Sequence, residues 1–276
     1  MVYDIFSSSK ELQGIVKQYV VINSLEGIDN LLFLPDGCNF IIFNRGIEGY
    51  AKAYKEDRKI LIPNNYSVSI KFNKVKKIVL NEKQDLKKIS FPIILVELTP
   101  IGFFKLFNKD ASILSKSYLE LEDLIVKKYF NDLYTHSSVE KELQYLDYSL
   151  NELYNSHNSV YIPIQDVLDK IENFYYFEVT VNSLIKEFGY SRSTMERQFK
   201  KNIGLTPKKF IFLSKFCKTV LVYIEEECTF NELKYLYSDH SYMNAVFKKI
   251  LGVSPSVILN EVASNKIRIY QMKKVN

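Results

Sequence analysis

The sequence predicts an α+β chain: a small antiparallel β-barrel of jelly-roll or cupin-like type with accompanying helices, then an all-α domain in which one long helix joins two helix-turn-helix units. Three observations predict it. Residues 1 to about 115 hold short apolar or alternating runs divided by turn chemistry, the pattern of antiparallel strands. From about Leu119 the apolar residues recur at spacings of three and four, the helical period. A block around Gly189–Pro207 returns 48 residues later, which marks a duplicated unit. The length of 276 residues suits about two domains, and 47% apolar residues exclude a wholly disordered chain.

The predicted strands are Leu31–Leu34, Phe40–Phe43, Lys59–Ile62, Val68–Phe72, Lys77–Leu80 and Pro92–Leu98. Pro35-Asp36-Gly37, Asn44-Arg45-Gly46 and Pro63-Asn64-Asn65 are the turns between them. Beyond them, Val139, Leu143, Leu146, Leu150 and Leu153 form a seam of coiled-coil spacing. That seam packs either on its own barrel or on a second copy of the chain, with dimerisation slightly favoured. Asn155–Ser159 is the predicted linker, so the first domain spans 1–158. His157 within it is expected to be a solvated linker residue.

An amphipathic helix follows over Ile164–Phe177, with Ile164, Val167, Leu168, Ile171, Phe174 and Tyr175 on one side. Val181–Phe188 is a second short helix, closed by the turn Gly189-Tyr190. Ser191 is placed to cap a third helix that stops at Gly204. Met195, Phe199 and Ile203 form its apolar stripe, while Arg192, Ser193, Thr194, Glu196, Arg197, Lys200 and Lys201 lie on the other face. Two short helices joined at a glycine turn make a helix-turn-helix, here over about 181–202. Pro207 opens the long connecting helix, to about Glu225, with a stripe of Phe210, Leu213, Phe216, Val220 and Leu221.

The repeat is specific. Phe199-Lys200-Lys201 with Gly204-Leu205-Thr206-Pro207 is matched by Phe247-Lys248-Lys249 with Gly252-Val253-Ser254-Pro255, and Ser193 and Met195 by Ser241 and Met243. On these residues the stretch from about Ile162 to Val262 closely resembles the AraC/XylS family of bacterial transcription regulators. The resemblance implies a DNA-binding domain over 162–262, with a second unit at about 229–251 and a basic tail over 263–276. It implies promoter DNA as partner, RNA polymerase as a candidate partner, and an N-terminal domain that takes a small-molecule effector or makes a homodimer. Leu34–Cys38 and Glu97–Phe107 are similar to a sensor-like N-terminal module of some such regulators; the effector-binding residues are unknown.

Charge divides in the same way. Residues 1–159 hold 20 Lys/Arg and 20 Asp/Glu, whereas Val179–Thr219 holds nine basic and two acidic residues and Val220–Asn260 three and five. The first unit therefore suits phosphate and the second does not. By position, Ser193, Glu196 and Arg197 are expected to face bases, flanked by Arg192 and Thr194: arginine suits guanine and glutamate suits cytosine. Lys200, Lys201, Lys208 and Lys209 are expected on phosphates. The alternative for Arg197 is an ion pair within the domain. The second unit lacks a turn glycine in Tyr235–Ser238 and has Ala245 where the first has Arg197, so His240, Ser241, Asn244, Lys248 and Lys249 are expected to touch DNA weakly. The tail residues Lys266, Arg268, Lys273 and Lys274 are an extra phosphate arm or, with more weight, a soluble end.

Other classes are disfavoured. Residues 1–135 contain no histidine, which argues against a cupin metal centre or a histidine base, so no catalytic residue, cofactor or metal is expected. Asp36 is expected as a turn aspartate. Cys38, Cys217 and Cys228, odd in number and far apart, are expected as buried free thiols. With no signal sequence and no apolar window of about 20 residues, the expected place is the cytoplasm, away from membranes. The rival reading is a degenerate family member that regulates by binding another protein, with little or no specific DNA binding.

Overall fold

Alternating and continuous apolar runs have only one way to hide their side chains and satisfy their backbone, which is to pair. The computed structural model describes residues 3–23, 31–43, 49–53, 59–62, 68–71, 76–80, 93–115, 119–120, 124, 127–157, 164–173, 179–225, 239–264 and 267–270. Its strands are β1 (Tyr3–Phe6), β2 (Val16–Ile22), β3 (Leu31–Phe33), β4 (Asn39–Phe43), β5 (Gly49–Ala53), β6 (Lys59–Ile62), β7 (Val68–Lys71), β8 (Lys76–Leu80), β9 (Ile93–Leu98), β10 (Leu119–Glu120) and β11 (Arg268–Ile269). They form one sheet in the order β1-β2-β9-β4-β7-β10 and another in the order β11-β3-β8-β5-β6. Every neighbouring pair is antiparallel except β11 with β3. Strands β4 and β9 lie side by side inside the first sheet, every residue buried, Asn39 and Glu97 included.

The strands β1, β2, β5, β10 and β11 were not among the sequence expectations. Lys17 and Gln18 break the alternation of β2, where the register to β9 shifts, and β5 reads Gly-Tyr-Ala-Lys-Ala, poor in strand formers. Asn44–Gly46, Pro63–Asn65 and Phe72 lie outside the described residues.

The chain leaves β9 through Thr99–Ile101 into helix α1 (Gly102–Phe107). A side chain at Gly102 would put its Cβ 2.3 Å from the Ile15 carbonyl oxygen and 2.9 Å from Leu98 Cβ, so only glycine lets the helix start this close to the sheet. Helix α2 (Val139–Asn155) begins at Ser138, whose side chain accepts from Lys141 N. Of the two partners open to its seam, the chain's own sheet is the one it packs on. Leu143, Leu146, Leu150 and Leu153 are at most 7% exposed and join one cluster with Tyr19, Ile94, Phe103 and Phe107 of the same chain. Two heptads are too short to hold a separate coiled coil when an apolar sheet face lies beside them. Tyr19 Oη donates to Asp147 Oδ1 at 2.7 Å and the Ser9 amide to the same oxygen at 3.0 Å, which pins the helix in register. Of the expected linker, Asn155 is the last residue of α2 and His157 is half-buried; residues 158–163 lie outside the described set.

The C-terminal helices are α3 (Gln165–Asn173), α4 (Val181–Phe188), α5 (Arg192–Ile203), α6 (Pro207–Glu225), α7 (His240–Leu251) and α8 (Pro255–Ala263). Their apolar stripes meet as expected, with Met195, Phe199, Ile203, Phe210, Leu213, Phe216 and Val220 at most 1% exposed. That core is not theirs alone. Leu32, Leu34, Ile101 and Phe104 of the β domain belong to the same cluster. Of the C-terminal tail, Ile267, Ile269 and Tyr270 are at most 2% exposed. Phe174, Tyr175, the segment 226–238 with Cys228 and Tyr235–Ser238, and Lys266, Lys273 and Lys274 lie outside the described residues.

Candidate nucleic-acid interface

The first unit is set by its caps. Thr180 Oγ1 accepts from the Ser183 amide at 3.0 Å while Ser183 Oγ accepts from the Thr180 amide at 2.9 Å, a reciprocal capping box that starts α4. Gly189, at φ +70°, turns the chain, a left-handed conformation that costs other residues about 1–2 kcal/mol. Ser191 Oγ accepts from the Thr194 amide at 3.1 Å and opens α5. Gly204, at φ +73°, closes α5 with its amide on the Phe199 carbonyl at 3.0 Å.

With Met195, Phe199 and Ile203 turned into the core, the opposite face of α5 is presented. Arg192, Ser193, Arg197 and Lys200 are exposed, and Thr194 and Glu196 are half-buried. Their spacing places 192, 193, 196, 197 and 200 along one side of the helix. Arg192 Nη2 donates to Asn182 Oδ1 at 2.6 Å, a neutral partner that aims the guanidinium without cancelling its charge. Among the described residues Arg197 makes no ion pair. Thr194 takes a hydrogen bond from Ser191 Oγ at 2.9 Å, and Ser193 Oγ lies 3.0 Å from the same oxygen, so both hydroxyls also serve the cap.

The lysines separate. Lys200 and Lys208 are exposed. Lys201 Nζ sits 5.3 Å from the centre of the Phe104 ring of α1, and Lys209 Nζ, half-buried, 5.5 Å from that of Phe212. Of the two acids in this stretch, Glu187 pairs with Lys170 at 2.8 Å.

The second unit repeats the frame. Asp239 Oδ1 accepts from the Tyr242 amide at 2.7 Å, and Gly252 at φ +81° ends α7. His240, Ser241, Lys248 and Lys249 are exposed and Asn244 is half-buried. His240 Nδ1 and Asn244 Nδ2 are joined at 2.8 Å, so each occupies the other. Asp239 leaves this helix start acidic where that of α5 is cationic.

A second site was not visible in the sequence. A cavity of ≈ 410 Å³ lies where the β domain meets α3 and α6, lined by Lys17, Asp36, Cys38, Asp169, Ser214 and Lys218 among others. Lys17 Nζ lies 2.9 Å from Glu97 Oε1, 3.7 Å from Asp36 Oδ2 and 4.0 Å from Cys38 Sγ. Asp36 is a turn aspartate, its Oδ1 accepting from the Cys38 amide at 3.0 Å. The ligand atoms of Asp36, Cys38 and Glu97 lie within 4.8 Å of one another, but the cation among them is the Lys17 ammonium. Burial pushes the thiols of both Cys38 and Cys217 upward, which keeps them protonated and unreactive. Strands β2 and β9 and the loop between β3 and β4 bring this cluster together from positions up to 80 residues apart, a distance over which spacing carries no signal.

Residues 184–261 match a family model described as a helix-turn-helix domain, of the AraC type. No curated protein matches the sequence. Among solved structures, the chain is similar to an apo variant of ToxT from Vibrio cholerae at 14% identity, covering 88% of this chain and 97% of that one with a TM-score of 0.46. It is similar to ToxT with a bound unsaturated fatty acid at 15% identity, over 83% and 88% of the two chains, with a TM-score of 0.39. The AraC-like transcriptional activator CuxR is similar at 13% identity, over 80% and 79%, with a TM-score of 0.27. No helix among the described residues is long and apolar enough to cross a membrane. The paired caps, the repeated turn and proline signals and the matched model agree: residues 184–261 of this chain form a helix-turn-helix domain of the AraC type.

Proposed function

We propose that the chain recognises promoter DNA mainly through α5, with the second unit completing the fold and adding weak contacts. The observation that carries this reading is the exposed side of α5: Arg192, Ser193, Arg197 and Lys200 stand on one face of a helix whose opposite face is fully buried. Arg197 and Glu196 read base edges, with Ser193, Arg192 and Thr194 beside them. Lys200 and Lys208 hold phosphates, joined by Lys201 and Lys209 when these leave their aromatic rings. In the second unit His240, Ser241, Asn244, Lys248 and Lys249 lie toward the duplex with two cationic side chains against six in the first and one internal bond to break.

Residues 1–158 form the sensing domain, 162–262 the DNA-binding domain, and the two sheets support a jelly-roll arrangement for the first. The cavity between the β domain and helices α3 and α6 is where a small polar effector would act on the reader, since both domains supply its wall. The protein works in the cytoplasm and carries out no catalysis. Its further partners are RNA polymerase and, through a surface other than the α2 seam, a second copy of the chain.

Gel shifts against genomic fragments test the reading. Arg197→Ala is expected to weaken operator binding by about 1–3 kcal/mol, roughly 5- to 150-fold, and Asn244→Ala by much less. Lys200→Ala should lower the salt slope of binding by about one. Equal losses from Arg197 and Asn244 sink the asymmetry. Binding to DNA that ignores salt, or none at all, leaves the protein-interaction regulator as the better reading.

A further inference from the structure

The last described segment follows the final helix of the second unit yet ends inside the β domain. Arg268–Ile269 pair in parallel with Leu31–Leu32, and the Tyr270 amide continues the ladder by donating to the Leu32 carbonyl at 2.9 Å. The Tyr270 ring lies among Phe33, Phe40 and Tyr3, with centroids 5.0, 5.8 and 5.9 Å away. Its hydroxyl donates to Glu97 Oε2 at 2.5 Å and takes a hydrogen bond from Gln18 Nε2. Tyr3 Oη donates to the Tyr270 carbonyl at 3.4 Å.

Glu97 is fully buried. A carboxylate there is tolerated only if both oxygens are well partnered, and here the partners come from opposite sides. Gln18 Nε2 and Tyr270 serve Oε2, while Oε1 is held by Lys17 on the cavity wall. Burial and the negative charge of Glu97 both hold the Tyr270 hydroxyl well above the ordinary tyrosine range, which keeps it a donor.

We propose that the β3 edge with its Phe33, Phe40 and Glu97 pocket is a docking site for the chain's own segment Ile267–Tyr270, a clasp that ties the second helix-turn-helix unit to the β domain. Glu97 sets its grip. Because one carboxylate serves both the tail and the cavity, a change in the pairing of Lys17 reaches Tyr270 through a single residue. The parallel strand alone is two residues long, too little to hold a tail by backbone bonds, so the tyrosine supplies most of the attachment. The second unit, weak in its own contacts to DNA, is thus positioned by a device that senses the cavity.

Native-state hydrogen exchange on the full chain, without DNA, tests the clasp separately from the DNA-reading assignment. Tyr270→Phe keeps the ring and removes the hydroxyl; it should speed exchange in β3 and α8 about tenfold or more, the effect of losing one hydrogen bond to a charged acceptor, and leave α5 unchanged. Tyr270→Ala should act more strongly on the same peptides. Lys17→Met, on the cavity side, should also speed α8. Unchanged α8 exchange in Tyr270→Phe overturns the clasp, and unchanged α8 exchange in Lys17→Met overturns the coupling through Glu97. If Tyr270→Ala does not fold, the other two variants still decide both points.

Discussion

Gly37 offers a direct measure of whether the β domain and the connecting helix touch in solution. It sits at φ +93°, and a Cβ on it would lie 2.5 and 3.0 Å from Cε2 and Cδ2 of Phe210 in α6. Two separate costs follow for Gly37→Ala. The left-handed backbone costs an alanine about 1–2 kcal/mol, and displacing a ring that is 1% exposed in a close-packed core costs about 1–3 kcal/mol more. The ring cannot retreat freely, since it meets Phe199 of α5 edge-on at 5.9 Å. The sum, about 2–5 kcal/mol, is a large part of the roughly 5–15 kcal/mol available to a folded protein. A double-mutant cycle with Phe210→Leu isolates the second cost, because leucine removes the ring edge but leaves the backbone strain in place. Urea unfolding followed by circular dichroism should show Gly37→Ala to be about 1–3 kcal/mol cheaper in the Phe210→Leu background. Additivity within about 0.5 kcal/mol would mean that the loop and the helix do not meet, and the reasoning from a shared core would fail with it.

The remaining predictions concern the cap and the buried cluster. Ser191→Ala removes the side-chain acceptor for the Thr194 amide and should cost about 0.5–2 kcal/mol of stability, seen as a lower urea midpoint; an unchanged midpoint would show that α5 is held by packing alone. Burial opposes the charge of Lys17, but the Glu97 and Asp36 carboxylates outweigh it and hold its pKa above the ordinary lysine value. A group raised in this way gives stability that is complete below its unfolded pKa and is lost only as pH rises through the folded one. The deficit of Lys17→Met should therefore stay constant from about pH 6 to 9, and a deficit that fades within that range would contradict the pairing.

The C-terminal helices were legible because their signals are local. Ser191, Gly204 and Pro207 act within one turn of where they stand, and the stripe Met195-Phe199-Ile203 states its period directly. The central strands β4 and β9 announced themselves through the apolar runs Phe40–Phe43 and Ile93–Val96, whereas β2 did not, because Lys17 and Gln18 interrupt it to serve Glu97 across the sheet. The exposed side of α5 was also readable, as a remainder once the buried stripe is subtracted. What spacing does not carry is the partner of a face. The leucines of α2 show an apolar seam with equal clarity whether it covers a sheet or a second chain, and Ile267–Tyr270 hold no hint that their partner is Leu31–Leu32. The turn Pro35-Asp36-Gly37 was visible, but its contact with Phe210 joins residues 173 positions apart.

The cluster in which Leu32, Leu34, Ile101 and Phe104 share a core with the recognition and connecting helices has a practical consequence. Cutting the polypeptide between its two halves would strip water-averse surface bare on both fragments, so neither should behave as a well-mannered soluble piece. Heating should melt the intact molecule in one concerted transition, its calorimetric and van't Hoff enthalpies agreeing, because the core of the helices is completed by residues of the β domain and does not outlast it.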